Sequence, residues 1–90
     1  MNSRENHLIQ QQLIDFLHHH ADVYDEFDAT TDLIAEGILD SLLVTDLVLF
    51  TQRHFGVELT VRDISPEHMS NIERMACLIQ SKREKLDRAA

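Results

Sequence analysis

Cysteine is nearly absent: Cys77 is the only one in the 90-residue chain, so no internal disulfide can form and nothing points to an oxidising compartment. Met75, Ala76, Leu78 and Ile79 surround it, and at helical spacing a small thiol among them is expected to be a buried core residue rather than a nucleophile. Long apolar runs are missing too. None approaches the roughly 20 residues needed to cross a bilayer, and residues 1–12 lack the basic and apolar regions of a signal peptide. No membrane insertion and a cytoplasmic location are the resulting expectations. Positive charge is scarce: 8 Lys and Arg stand against 16 Asp and Glu, for a net charge of -8, and Arg4 is the only basic residue before Thr51. A nucleic-acid backbone, whose binding needs a basic patch, is excluded as a partner. The acidic half is instead expected to steer a partner with a basic surface.

What is present is an ordinary globular composition, 43% hydrophobic and 27% charged, which predicts one folded domain over 1–90, a monomer with polar ends frayed at approximately 1–6 and 86–90. Ile9, Leu13, Phe16 and Leu17 recur at intervals of three and four, predicting a first helix over 8–20. Residues 22–40 mix acids, threonines and apolar residues without sustained periodicity, which predicts a long anchored loop of the kind that is often functional. Asp40 and Ser41 are good N-cap residues and Gly56 stands at a C-cap position, so a second helix is expected from Ser41 to about Phe55. Ser65-Pro66 predicts a short third helix. Ser70-Asn71-Ile72-Glu73 matches a capping box, and Ile72, Met75, Ala76 and Ile79 extend it as an apolar stripe. The fourth helix is then expected to run from Ser70 into the basic tail, with Lys82, Arg83 and Lys85 near its C-terminal dipole. The fold class is all-α: a small four-helix bundle of three main helices, one short helix and a long first loop.

The sharpest local signal is Gly37-Ile38-Leu39-Asp40-Ser41-Leu42-Leu43, a glycine bend leading into a serine at an amphipathic helix start. A hydroxyl there is accessible, and a phosphate on it would lie near unpaired N–H groups and the positive end of the helix dipole. Asp40 adds a charge able to coordinate a divalent metal in a transferase active site. Taken alone, a serine at such a position is far more often just an N-cap. A serine hydrolase is disfavoured, because Ser41 lacks a G-x-S-x-G elbow and the chain lacks a glycine-rich oxyanion loop. His18, His19 and His20 point about 100° apart on a helix and cannot easily converge on one ion. They are expected to form a solvated helix end, and no metal site is assigned.

From Asp32 to Ile79 the ordered landmarks Asp32-Leu33, Gly37, Asp40-Ser41-Leu42 and Phe55-Gly56-Val57-Glu58-Leu59 resemble the acyl and peptidyl carrier protein family. The resemblance implies an acyl-carrier-type fold and no catalytic activity. It also implies that Ser41 receives 4′-phosphopantetheine from coenzyme A through a phosphopantetheinyl transferase, and that the arm's thiol bears cargo as a thioester. Gly37 and Asp40 are separated by two residues where the commonest fatty-acid carriers have one, a spacing similar to stand-alone D-alanyl and other aminoacyl carriers. That likeness implies an ATP-dependent aminoacyl or acyl ligase acting in trans and a downstream acyl or aminoacyl transferase. The outward stripe of the second helix, inferred from spacing as Leu42, Thr45, Asp46, Leu49 and Arg53, is mixed rather than carboxylate-rich. Leu42 is expected to be exposed as an apolar docking spot beside the arm, with Thr45, Asp46 and Leu49 around it. The alternative is a helical adaptor of the same fold in which Ser41 only caps the helix.

Overall fold

In a computed structural model the chain is described over residues 3–89, and four α-helices lie within that range. They are α1 (Ser3–Asp15), α2 (Ser41–Phe55), α3 (Pro66–Met69) and α4 (Ile72–Ala89), with a π-helical turn, Phe16–His20, continuing α1. No strand occurs among the described residues. Ile9, Leu13 and Leu17 of the first helical stretch pack with Leu47 of α2 and with Ile72, Met75, Ala76 and Ile79 of α4 around one core.

The first helix begins earlier than the apolar period suggests. Residues 3–6, expected to fray, form its first turn, because their polar side chains find partners on α4. Asn6 Nδ2 donates to Gln80 Oε1 at 3.0 Å, and Arg83 lies 3.4 Å from Glu5. Gln80 is thereby buried without an orphaned amide, as a polar group inside a fold requires. Met1, Asn2 and Ala90, also expected to fray, lie outside the described residues.

Three further expectations are corrected. The α4 cap is Asn71, whose Oδ1 accepts the Arg74 N–H at 2.8 Å. Ser70 does not open the helix, because its N–H completes α3 on Pro66 and its carbonyl accepts the Leu33 N–H at 2.7 Å. Glu73 gives its N–H to the Ala29 carbonyl instead of meeting a Ser70 cap. Cys77 is exposed rather than buried: the core-facing pairs Met75–Ala76 and Ile79–Gln80 leave it about 100° round the helix from Ala76, off the apolar stripe. Lys82 and Arg83 stand well before the end of α4 and pair with carboxylates rather than with its terminal dipole.

The histidines also differ from a uniformly solvated end. His18 Nδ1 lies 3.0 Å from the Val23 carbonyl and its ring stacks on Phe27 at 4.9 Å, whereas His19 and His20 are exposed. Phe16, at the start of the π turn, is buried, and its ring stacks on Phe50 at 4.4 Å and ties the end of α1 to α2.

The connector before α3 is held by Asp63, which accepts from Thr60 N–H and Oγ1 and from Lys82 Nζ at 2.6 Å. Burial alone would raise the Asp63 carboxyl, but the bonds from Lys82 and Thr60 outweigh it and hold it below the usual carboxylate range. The carboxylate therefore contributes stability above the unfolded value of about 4, and that contribution disappears as pH falls through the lower folded value. Asp63→Asn is expected to lower the melting temperature at neutral pH, with the gap to wild type closing as pH drops below about 4. Thermal unfolding at a series of pH values checks this; a gap independent of pH would remove the charged pair as its cause.

Candidate functional site

Loop one, residues 21–40, delivers the chain to the start of α2, and it is fastened rather than loose. Val23, Leu33 and Leu39 are buried. The Leu33 carbonyl accepts both the Ile38 and Leu39 N–H groups, at 2.9 and 3.0 Å. Two aspartates shape its turns: Asp28 binds Thr30 and Thr31, and Asp32 accepts from the N–H groups of Ile34 and Ala35. The hydrogen bonds from the Thr30 hydroxyl and N–H, followed by those of Thr31, hold the Asp28 carboxyl below its usual range. Gly37 adopts φ +72°, a left-handed conformation in which a Cβ would be strained although nothing lies within 4 Å of its place. That bend aims the next residues toward α2.

Asp40 is the N-cap of α2, with extended backbone and Oδ1 accepting the Leu43 N–H at 2.8 Å. Ser41 is consequently the first helical residue, not the cap. It is exposed, and among the described residues its hydroxyl makes no hydrogen bond. The reading in which Ser41 only caps the helix loses its physical basis, because the neighbouring carboxylate performs that task. The first intrahelical donor is Val44, whose N–H reaches the Asp40 carbonyl at 2.9 Å. The N–H groups of Ser41 and Leu42 precede it, at the positive end of the helix dipole.

The outward face of α2 continues from Ser41. Leu42 is 72% exposed and Leu49 44%, while Thr45, Asp46 and Arg53 are also exposed. Thr45 spends its hydroxyl on the Ser41 carbonyl at 3.0 Å, so what it offers outward is chiefly its methyl group. Leu47 and Phe55 are buried on the opposite side, with Val44 and Val48 half-buried between.

One feature of the site escapes sequence reasoning. Ser41 lines an open recess of about 230 Å³ whose walls include Ile34 from loop one, Ile64 and Pro66 from the segment leading into α3, and Met69. Ile34 and Ile64 are 41% and 39% exposed; an isoleucine in a loop is the only sequence signal they give. The acidic half anticipated from the sequence is exposed on loop one, at Asp22, Asp25, Glu26, Asp28, Asp32, Glu36 and Asp40, with no Lys or Arg between them. Among the described residues, no group of His, Cys, Asp and Glu side chains is arranged to hold a metal ion, and no helix is long and apolar enough to cross a membrane.

The family model described as phosphopantetheine attachment site matches residues 9–77. No curated protein matches the chain.

Proposed function

The chain belongs to the phosphopantetheine attachment family, and we propose that Ser41 is its point of attachment and that it serves as a carrier delivering acyl or aminoacyl cargo between enzymes. Members of the family hold 4′-phosphopantetheine covalently, so that group is the cofactor, and the chain is a carrier rather than a catalyst. When bound, the group supplies a terminal thiol on which cargo rides as a thioester. The residues at the start of α2 fit it: an exposed hydroxyl free of other bonds, first-turn N–H groups beside it, and an apolar recess alongside. The single observation that carries the reading is that Asp40, not Ser41, caps the helix.

In the attachment step, Ser41 Oγ forms a bond to the pantetheine-bearing phosphorus of coenzyme A as the pyrophosphate P–O bond breaks. The nucleotide leaves as 3′,5′-ADP, and the serine proton passes to a base of the phosphopantetheinyl transferase. Asp40 supports the step through position: its cap fixes the helix start, and its carboxylate stands beside Ser41 where the transferase's divalent cation can meet it. Leu42, Thr45, Asp46 and Leu49 form the contact for that enzyme and for later partners. Loop one's carboxylates add long-range attraction toward basic partner surfaces.

The G-x-x-D-S spacing and the mixed outward face of α2 favour an aminoacyl cargo, loaded in trans by an ATP-dependent ligase and passed to a downstream transferase. The carrier acts as a cytoplasmic monomer, with neither nucleic acid nor membrane as a partner.

Incubation with coenzyme A and a broad-specificity transferase is expected to add one phosphopantetheine by intact mass, and Ser41→Ala is expected to remain unmodified. A wild-type chain left unmodified alongside control carriers would overturn the assignment. Offering the holo protein amino acids and fatty acids with ligases encoded near it tests the cargo: exclusive fatty-acyl loading would overturn the aminoacyl reading.

A further inference from the structure

The outward face of α2 carries two pairs of side chains at one spacing. Leu42 and Leu49 are seven residues apart, and so are Asp46 and Arg53. Seven residues bring an α-helix round to within about 20° of its starting direction and advance it by about 10.5 Å, so each pair lies along one line, with the charged line about 40° beside the apolar one. All four side chains are exposed. Among the described residues, neither Asp46 nor Arg53 takes part in a hydrogen bond or ion pair through its side chain.

The signs follow the helix. Near Ser41 the face is anionic, with Asp40 at the cap and Asp46 beyond it. At the far end, about 18 Å from Ser41 along the axis, it is cationic. Arg53 is the first Lys or Arg after Arg4, and it stands on the outward face of α2 rather than among the acids of loop one. The negative end of the helix dipole favours a cation in the last turn. His54 is also there, and a cation on any side of the helix would serve the dipole, which leaves the alignment of Arg53 with Asp46 without an explanation inside the fold.

Charges of opposite sign on one contact face fix a partner's orientation and reject partners of the wrong pattern. A docking surface that is basic throughout is drawn to Asp46 and repelled at Arg53. One that sets a carboxylate about 10 Å outward from its basic contact meets both. We infer that Arg53 is a specificity-determining residue: the enzymes this chain serves present a basic residue to Asp46 and, two helical turns farther from Ser41, an acidic residue to Arg53, and enzymes with uniformly basic docking faces are discriminated against. The inference rests on attachment at Ser41 and on the outward face of α2 as the contact.

The test uses coenzyme A and two phosphopantetheinyl transferases, one whose carrier-binding face is uniformly basic and one whose face is apolar, with intact mass reporting the added arm. On the basic-faced enzyme Arg53→Glu is expected to raise kcat/KM about fivefold, and Arg53→Gln by less. The gain should lie in KM with kcat unchanged, because Ser41 and its surroundings are untouched, and it should shrink toward unity between about 50 and 500 mM salt. Damage to the fold cannot imitate a gain in rate. On the apolar-faced enzyme the three proteins should agree within about twofold. Each basic residue of the first enzyme's face is then changed in turn to glutamate. For one of these the order is expected to reverse, with wild type a better substrate than Arg53→Glu, which is the coupling that a direct charge contact produces. No gain for Arg53→Glu on the basic-faced enzyme, an equal gain on both enzymes, or no reversal by any of the glutamate substitutions would overturn the inference. Wild type left without added mass by both enzymes would instead strike the attachment reading on which this one rests.

Discussion

Leu33→Ala is expected to lower stability by about 2–5 kcal/mol, the cost of truncating a fully buried leucine. Leu33 is 0% exposed although it lies in the middle of loop one. Its backbone is held as firmly as its side chain: its N–H donates to the Ser70 carbonyl, and its own carbonyl accepts from Ile38 and Leu39. Leu33 thus joins the α3–α4 corner to the segment leading into Ser41, beside the lesser anchors of Val23, Ala29 and Leu39. Urea unfolding should show the loss as a lower midpoint, with little change in slope if the transition stays two-state. Ile34→Ala, one residue on but 41% exposed, should cost well under half as much. Equal costs at the two positions would mean that loop one is not anchored through Leu33.

Leu42→Ala carries the second large effect, and it falls on transfer rather than on folding. At 72% exposed, Leu42 has little buried surface to lose, so stability should change by no more than an ordinary surface substitution allows, about 0.5 kcal/mol. An exposed apolar side chain adjacent to the modified serine is positioned to fill a pocket on any enzyme that receives the arm. Such anchors typically carry more than about 1 kcal/mol of binding, so kcat/KM for the transferase with the variant as substrate should fall about tenfold. Leu49→Ala, farther along the same face and 44% exposed, should fall less. Normal transfer by Leu42→Ala would remove Leu42 from the contact, and a large drop in melting temperature would place it in the core after all.

Much of this arrangement is legible in the sequence, because single residues dictate it. Gly37 and Gly56 both take the left-handed conformation that few other residues tolerate, Asp40 takes the cap, and the stripe inferred for the outward face of α2, Leu42, Thr45, Asp46, Leu49 and Arg53, is exposed. What is not legible depends on partners distant in the chain. Asn6 reads as part of a polar terminus until Gln80 is brought to it. Ser70 reads as a better cap than Asn71 until Leu33 claims its carbonyl. Cys77 differs from its buried neighbours by one step of helical rotation, too fine a distinction for an apolar stripe read from spacing alone.

That one particular hydroxyl bears the arm is the proposal on which the others depend. Fragmentation of the modified intact protein by tandem mass spectrometry locates the added group along the chain without altering any residue. All of the added mass is expected on Ser41, with fragments ending before it unmodified and those containing it fully shifted. Modification located on Ser65, Ser70 or any other residue, with Ser41 unmodified, would contradict it.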